Sequence, residues 1–163
     1  MRKLWRAVEQ SADLVIITDR GGVIEYVNPA FEALTGYSRE ESVGRTPRIL
    51  KSDQQTANLY QELWETILAG NVFRGVLVNR KKNGQIFYAE KTITPLRDTD
   101  GAITHFISND RDITERRRLE SQLQQAHYLR TVLYDQGGGK RYWAGIGHGV
   151  WNREAKRGLH LGL

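Results

Sequence analysis

Cysteine is absent from the 163 residues. That excludes disulfides, thiolate metal sites, cysteine nucleophiles and covalent cysteinyl adducts with a cofactor. No apolar run approaches the roughly 20 residues needed to span a bilayer, so no membrane partner is expected. The first residues, "MRKLWRAVEQ", have a helical pattern and carry Glu9 early, unlike a secretory leader. A cytoplasmic location is the expectation. The net charge of +5 is not spread over the chain: residues 1–114 carry 15 basic and 15 acidic side chains, residues 115–163 carry 9 and 4. The neutral part lacks the basic patch that nucleic acid requires, and no nucleic-acid partner is expected. No nucleophile–base pair or metal-ligand constellation is legible, so a catalytic or metal site is not expected either.

What is present is a clear succession of elements. "LVIIT" and "VIEYV" flank the turn residues "DRGG" and predict a hairpin. Asn28 followed by Pro29 reads as an N-cap and first helical position, and Gly36 as the helix end. Ser38 and Glu41 have capping-box spacing. The spacing of Leu59, Leu63 and Ile67 predicts a helix over residues 53–69, ended by Gly70. Tyr60 and Trp64 on it read as core aromatics. The period then changes to two. Three strands follow, separated by Asn83-Gly84 and "RDTDG", and form a meander. From Asp112 helical spacing resumes, with Leu119, Leu123, Ala126 and Leu133 on a narrow stripe suited to a two-helix seam. Residues 136–163 hold eight of the 16 glycines and read as a flexible basic tail. In it "WAGIGHGVWN" lacks the carboxylate and the helical pattern of a phosphoacceptor box, so His148 is not assigned as a phosphorylation site.

The expected fold is α+β: five strands in one antiparallel sheet, helices covering one face, and a pocket between them. The expected organisation is an N-terminal flanking helix (1–12), a globular domain (13–114), a C-terminal helix (115–135) and the tail (136–163). Asn79 lies in "VLVN", where Leu77 and Asn79 share one face and Val76 and Val78 the other. Were the valines inward, Asn79 would be a solvent residue.

Residues 1–115 resemble the PAS domain family through "ITDRGGVIEYVNPAFEALTGYSREESVGRTPRIL", "LWETILAG", "RGVLVNRKKNGQIFYAEKTITPLRDTDGAI" and "DITERRRLE". The resemblance implies strand order 2-1-5-4-3 and a sensory role, while the exit-helix seam, helped by Leu4, Trp5 and Val8, points to a homodimer through the N- and C-terminal helices. The resemblance also implies an exit helix leading to a downstream effector such as a histidine kinase or diguanylate cyclase. "GRTPRIL" is similar to the Gly-Arg-Asn-Cys-Arg-Phe-Leu frame of light-sensing LOV domains, with Pro47 at the cysteine position. Ala89 and Asp110 stand where that subgroup has asparagine and glutamine, and Asn79 keeps its asparagine. "RGVLVNRKKNG" is similar to the FAD-binding, redox-sensing PAS subgroup of nitrogen-fixation control and aerotaxis, with Phe73 in place of a tryptophan.

The resemblance therefore implies a flavin cofactor, FAD ahead of FMN, held by Asn79, Phe73, Leu77, Arg48, Ile49 and Asp110. The long helix has no histidine for an axial ligand, and haem is not expected. Arg48 is matched to a phosphate-pairing arginine or is a solvated loop charge. Asp110 is a pocket acid, pairs with a neighbour, or faces water. The alternative is a cofactor-free PAS module for interaction and dimerisation.

Overall fold

The computed structural model describes residues 1–134. The chain divides after Glu115 into two compact units. The first contains helix α1 (Arg2–Glu9), strands β1 (Leu14–Asp19) and β2 (Ile24–Val27), helices α2 (Pro29–Thr35) and α3 (Arg39–Ser42), and a 3-10 turn at Pro47–Leu50. Helix α4 (Ala57–Leu68) and strands β3 (Phe73–Arg80), β4 (Ile86–Arg97) and β5 (Ile103–Asp112) complete it. The second unit, from Arg116 on, is described as the body of helix α5 (Thr114–Leu133).

The five strands form one antiparallel sheet of order β2-β1-β5-β4-β3, the expected arrangement. The predicted caps are realised. The Asn28 side chain accepts from the Phe31 N–H, Pro29 opens α2, and Gly36 ends it at φ 78°. Ser38 and Glu41 form a reciprocal capping box on α3. Asn28 does more than cap. Its Oδ1 also accepts from Val15 N–H at 2.9 Å, and its Nδ2 donates to the carbonyls of Val8 and Asp13. One fully buried amide thus ties α1, β1 and α2 together.

The long helix begins later than its apolar spacing predicts, at Ala57 rather than residue 53. The preceding residues are engaged elsewhere. Asp53 pairs with Arg80, the Gln55 carbonyl accepts from Val78 N–H at 2.7 Å, and the buried Ser52 hydroxyl donates to Val78 carbonyl at 2.5 Å. Lys51 forms a backbone bridge with Asn79. Residues 51–55 therefore cover the open edge of β3, and those bonds replace a first helical turn.

On its helix-covered face the sheet carries two apolar clusters. Leu14, Ile16, Ile24, Val27, Phe31, Leu50, Phe87 and Ala89 make the first. Leu63, Ile67, Phe73, Leu77, Ile93 and Phe106 make the second, under α4. Alternation along each strand places these residues. The C-terminal tail, with His148, lies outside the described residues.

Candidate functional site

Between the two clusters lies a cavity of about 480 Å³, in the size range of small-molecule sites. Ile16 and Leu50 wall it from the first cluster and Leu63, Ile67, Leu77, Ile93 and Phe106 from the second. Tyr60 and Trp64 of α4, half-buried and packed against the second cluster as expected of core aromatics, line it as well. The Trp64 ring meets Phe106 edge-on at 6.3 Å. It also closes over the β1–β2 turn: a Cβ on Gly22 would stand 2.8 Å from the indole. Gly22 has φ 84°, so the turn needs glycine for its backbone as well as for this contact.

Asn79 is 4% exposed and lines the cavity. Leu77 and Asn79 face inward, the first of the two orientations left open by the strand pattern. Among the described residues the Asn79 side chain makes no hydrogen bond and no side-chain polar atom is fully buried without a partner, so its two N–H donors and its carbonyl are open to the cavity space and not sealed in the core. An amide open to the cavity in this way can pair with what the cavity holds, water or ligand.

Arg48 and Lys51 stand exposed at the mouth and line it. The Lys51 ammonium lies 5.5 Å from the Tyr60 ring centre. Pro47 also lines the cavity, at the first position of the 3-10 turn, where its fixed φ suits the turn. Phe73, Ile49 and Asp110 do not line it. The Phe73 ring lies over Gly75, where a Cβ would come within 2.8 Å of it. Ile49 packs against the first apolar cluster.

Asp110 neither faces water nor pairs through Arg111, which binds Asp13 instead. It is 1% exposed and pairs with Lys91, directly opposite on β4. The Lys91 ammonium also donates to Ser108 Oγ at 2.9 Å, and Ser108 donates to Asp110 Oδ1 at 2.6 Å. Lys91 and Ser108 line the cavity. Sequence reasoning missed both. The alternation Phe87, Ala89, Lys91, Ile93 carried the signal, because it puts a lysine on the inward face of a central strand.

A second cluster holds α1. Tyr26 of β2 donates to Glu9 at 2.5 Å, and Arg39 binds the same carboxylate oxygen at 3.0 Å while stacking over the Tyr26 ring at 4.8 Å. Trp5 packs on Tyr26 with ring centres 4.8 Å apart. Burial, then the Glu9 carboxylate, push the Tyr26 phenol up to about 12. The Tyr26 hydroxyl, with Arg39, holds Glu9 below the usual carboxylate value.

Among the described residues no group of acidic or histidine side chains is arranged to hold a metal ion, and no helix is long and apolar enough to cross a membrane.

A family model described as "PAS fold" matches residues 2–113. The nitrogen fixation regulatory protein of Klebsiella oxytoca is 36% identical over 116 residues, which cover 71% of this chain and 23% of that protein. Blue-light-activated histidine kinase 1 of Erythrobacter litoralis is 37% identical over 111 residues, 66% of this chain and 31% of the kinase. The chain thus spans under a third of either relative. Among solved structures, an RNA-binding light-oxygen-voltage receptor superposes with a TM-score of 0.70 at 29% identity, covering 78% of this chain and 37% of that one.

Proposed function

From the premise that the chain belongs to the PAS family, we propose that residues 1–115 are a sensor domain holding a flavin nucleotide, FAD, in the cavity beside Asn79. The observation that carries this is the inward-facing Asn79 amide, whose donors and acceptor are open to a chamber with apolar walls on both sides and polar groups at its mouth and floor. A flavin pyrimidine edge offers a carbonyl and an N–H, the complement of an amide's donors and acceptor. The apolar walls and the Trp64 and Tyr60 rings suit the flat body of the ring system. Arg48 and Lys51 at the mouth suit phosphates, and their exposure leaves room for a dinucleotide tail. The likeness of "RGVLVNRKKNG" to the FAD-binding redox-sensing subgroup, and the similarity to a nitrogen fixation regulator, favour FAD and a redox signal over FMN and light. Bound flavin supplies two-electron redox chemistry. The chain supplies binding through Asn79, shielding from water under Trp64, and a polar floor at Ser108 and Lys91.

The signal would leave through α5, which follows β5 directly: Asp112 Oδ1 accepts from both the N–H and the hydroxyl of Thr114 at the helix start. The relatives include a histidine kinase, and we infer a kinase or cyclase effector beyond α5. We also infer a homodimer paired through Leu119, Leu123, Ala126 and Leu133, with Leu4 of α1 adding apolar surface.

The test is the colour of the purified protein. A yellow protein with flavin absorbance, releasing FAD on acid extraction, is the expected result. A colourless protein that takes up no added flavin overturns the reading and leaves the cofactor-free interaction module.

A further inference from the structure

The cavity has a charge asymmetry that flavin binding as such does not require. Its lining carries three cationic side chains, Arg48, Lys51 and Lys91, and no carboxylate. Two of them are at the solvent side. Lys91 is not: its side chain is only 6% exposed, and it stands on the central strands at the cavity floor. Its ammonium has three donors, of which Ser108 and Asp110 take two. The counter-charge, Asp110, is off the lining and 1% exposed. The pair is therefore a dipole with its positive end at the cavity wall and its negative end behind it. In a site walled by apolar groups such a dipole acts with little screening.

Fold stability alone gives little reason for this pair. A buried ion pair contributes weakly to stability, and apolar residues of similar volume serve as well or better. Its position on the cavity suggests a role toward what the cavity holds.

We propose that Lys91 makes the cavity selective for the anionic state of its ligand, so that a bound flavin is held more tightly reduced than oxidised. The identity of the ring rests on the flavin reading above; the preference for negative charge does not. Reduction takes two electrons from an external reductant and one proton from solvent, and leaves the ring system with one net negative charge. Each factor by which the reduced form binds better than the oxidised form raises the midpoint potential correspondingly.

The experiment is a dithionite titration of the full chain loaded with FAD, against a reference dye, in wild type and two variants. Lys91→Gln with Asp110→Asn removes both charges and keeps polar groups in place, which guards against the unfolding that a lone buried aspartate invites. Here the reduced-over-oxidised affinity ratio is expected to fall at least tenfold, about 30 mV lower for a two-electron couple. Asp110→Asn alone leaves the cation uncompensated and is expected to move the potential the other way. Ratios within twofold of wild type in both variants overturn the proposal while flavin binding stands. Should the protein take up no flavin, the flavin reading falls and charge selectivity is read with anilinonaphthalenesulfonate against its neutral counterpart, phenylnaphthylamine. Wild type then prefers the sulfonate. Loss of that preference in the Lys91→Gln, Asp110→Asn variant, but not in Arg48→Ala, Lys51→Ala, supports the proposal. Loss only in the latter overturns it.

Discussion

Asn79 is held at the cavity by its neighbours: its backbone bridges Lys51, and β4 pairs it with Phe87. Its side chain is the free variable. Asn79→Leu keeps the volume and replaces a cavity-facing amide that makes no bond to the protein, so the stability of the ligand-free protein should change by less than about 1 kcal/mol in a urea titration. Flavin occupancy should fall in the same variant. Equal loss of both would mark a structural residue instead. Tyr26 yields a pH prediction. Its folded phenol titrates at about 12, above the unfolded value of 10.0. The protonated form is thus favoured in the fold, and stability is complete below the unfolded value and lost as pH rises toward 12. Over that window wild type should lose up to about 2 to 3 kcal/mol that Tyr26→Phe retains. Urea midpoints at neutral and strongly alkaline pH compare the two. Glu9 has the opposite sign: its lowered folded value adds stability at neutral pH that disappears on acidification. At this scale the sequence named Asn79 but not its silence toward the rest of the protein. Lys91 was overlooked, because a lysine in a strand is usually a solvated residue until a partner such as Asp110 is seen across from it.

Among the elements, the hairpins and α2 and α3 were legible because each is governed by local rules: turn glycines, a proline at a helix start, a capping box. The start of α4 was not. The expected helix reached back to residue 53, beyond its first periodic apolar residue, Leu59, but the edge of β3 claims Ser52, Asp53 and Gln55, with partners some 25 residues distant. The roof of the cavity is another contact between elements, α4 to the β1–β2 turn through Trp64 and Gly22. Gly22→Ala faces both a left-handed backbone and a ring 2.8 Å away. It should destabilise the protein by about 1 to 2 kcal/mol, followed by circular dichroism in urea. The indole must shift, so flavin release should quicken as well. In α5, Arg116 and Glu120 form an i,i+4 pair at 3.0 Å and no side chain is buried. An isolated helix of 20 residues is marginal in water. The homodimer proposed above would add stabilisation by covering its exposed Leu119, Leu123 and Leu133.

For the whole molecule, the division at Glu115 has a direct consequence. A chain ending there should fold cooperatively with the thermal midpoint of the full chain. It should also sediment as a monomer where the full chain, at tens of micromolar, runs as a dimer; monomers in both cases would remove the proposed relay. The strand order followed from the family resemblance, since β1 pairs with the distant β5; the α+β class and the site of the exit helix were set by local patterning and by order along the chain. Those are properties of neighbours in sequence, where turn chemistry and side-chain period act directly. The tertiary structure alone decided how the apolar residues were shared out. They form two clusters with a chamber between them, Trp64 and Tyr60 become its lining, and a lysine and a serine from different strands become its floor, with an aspartate paired behind them. Burial and pairing at such distances depend on which residues the fold makes adjacent, and no period in the sequence encodes that adjacency.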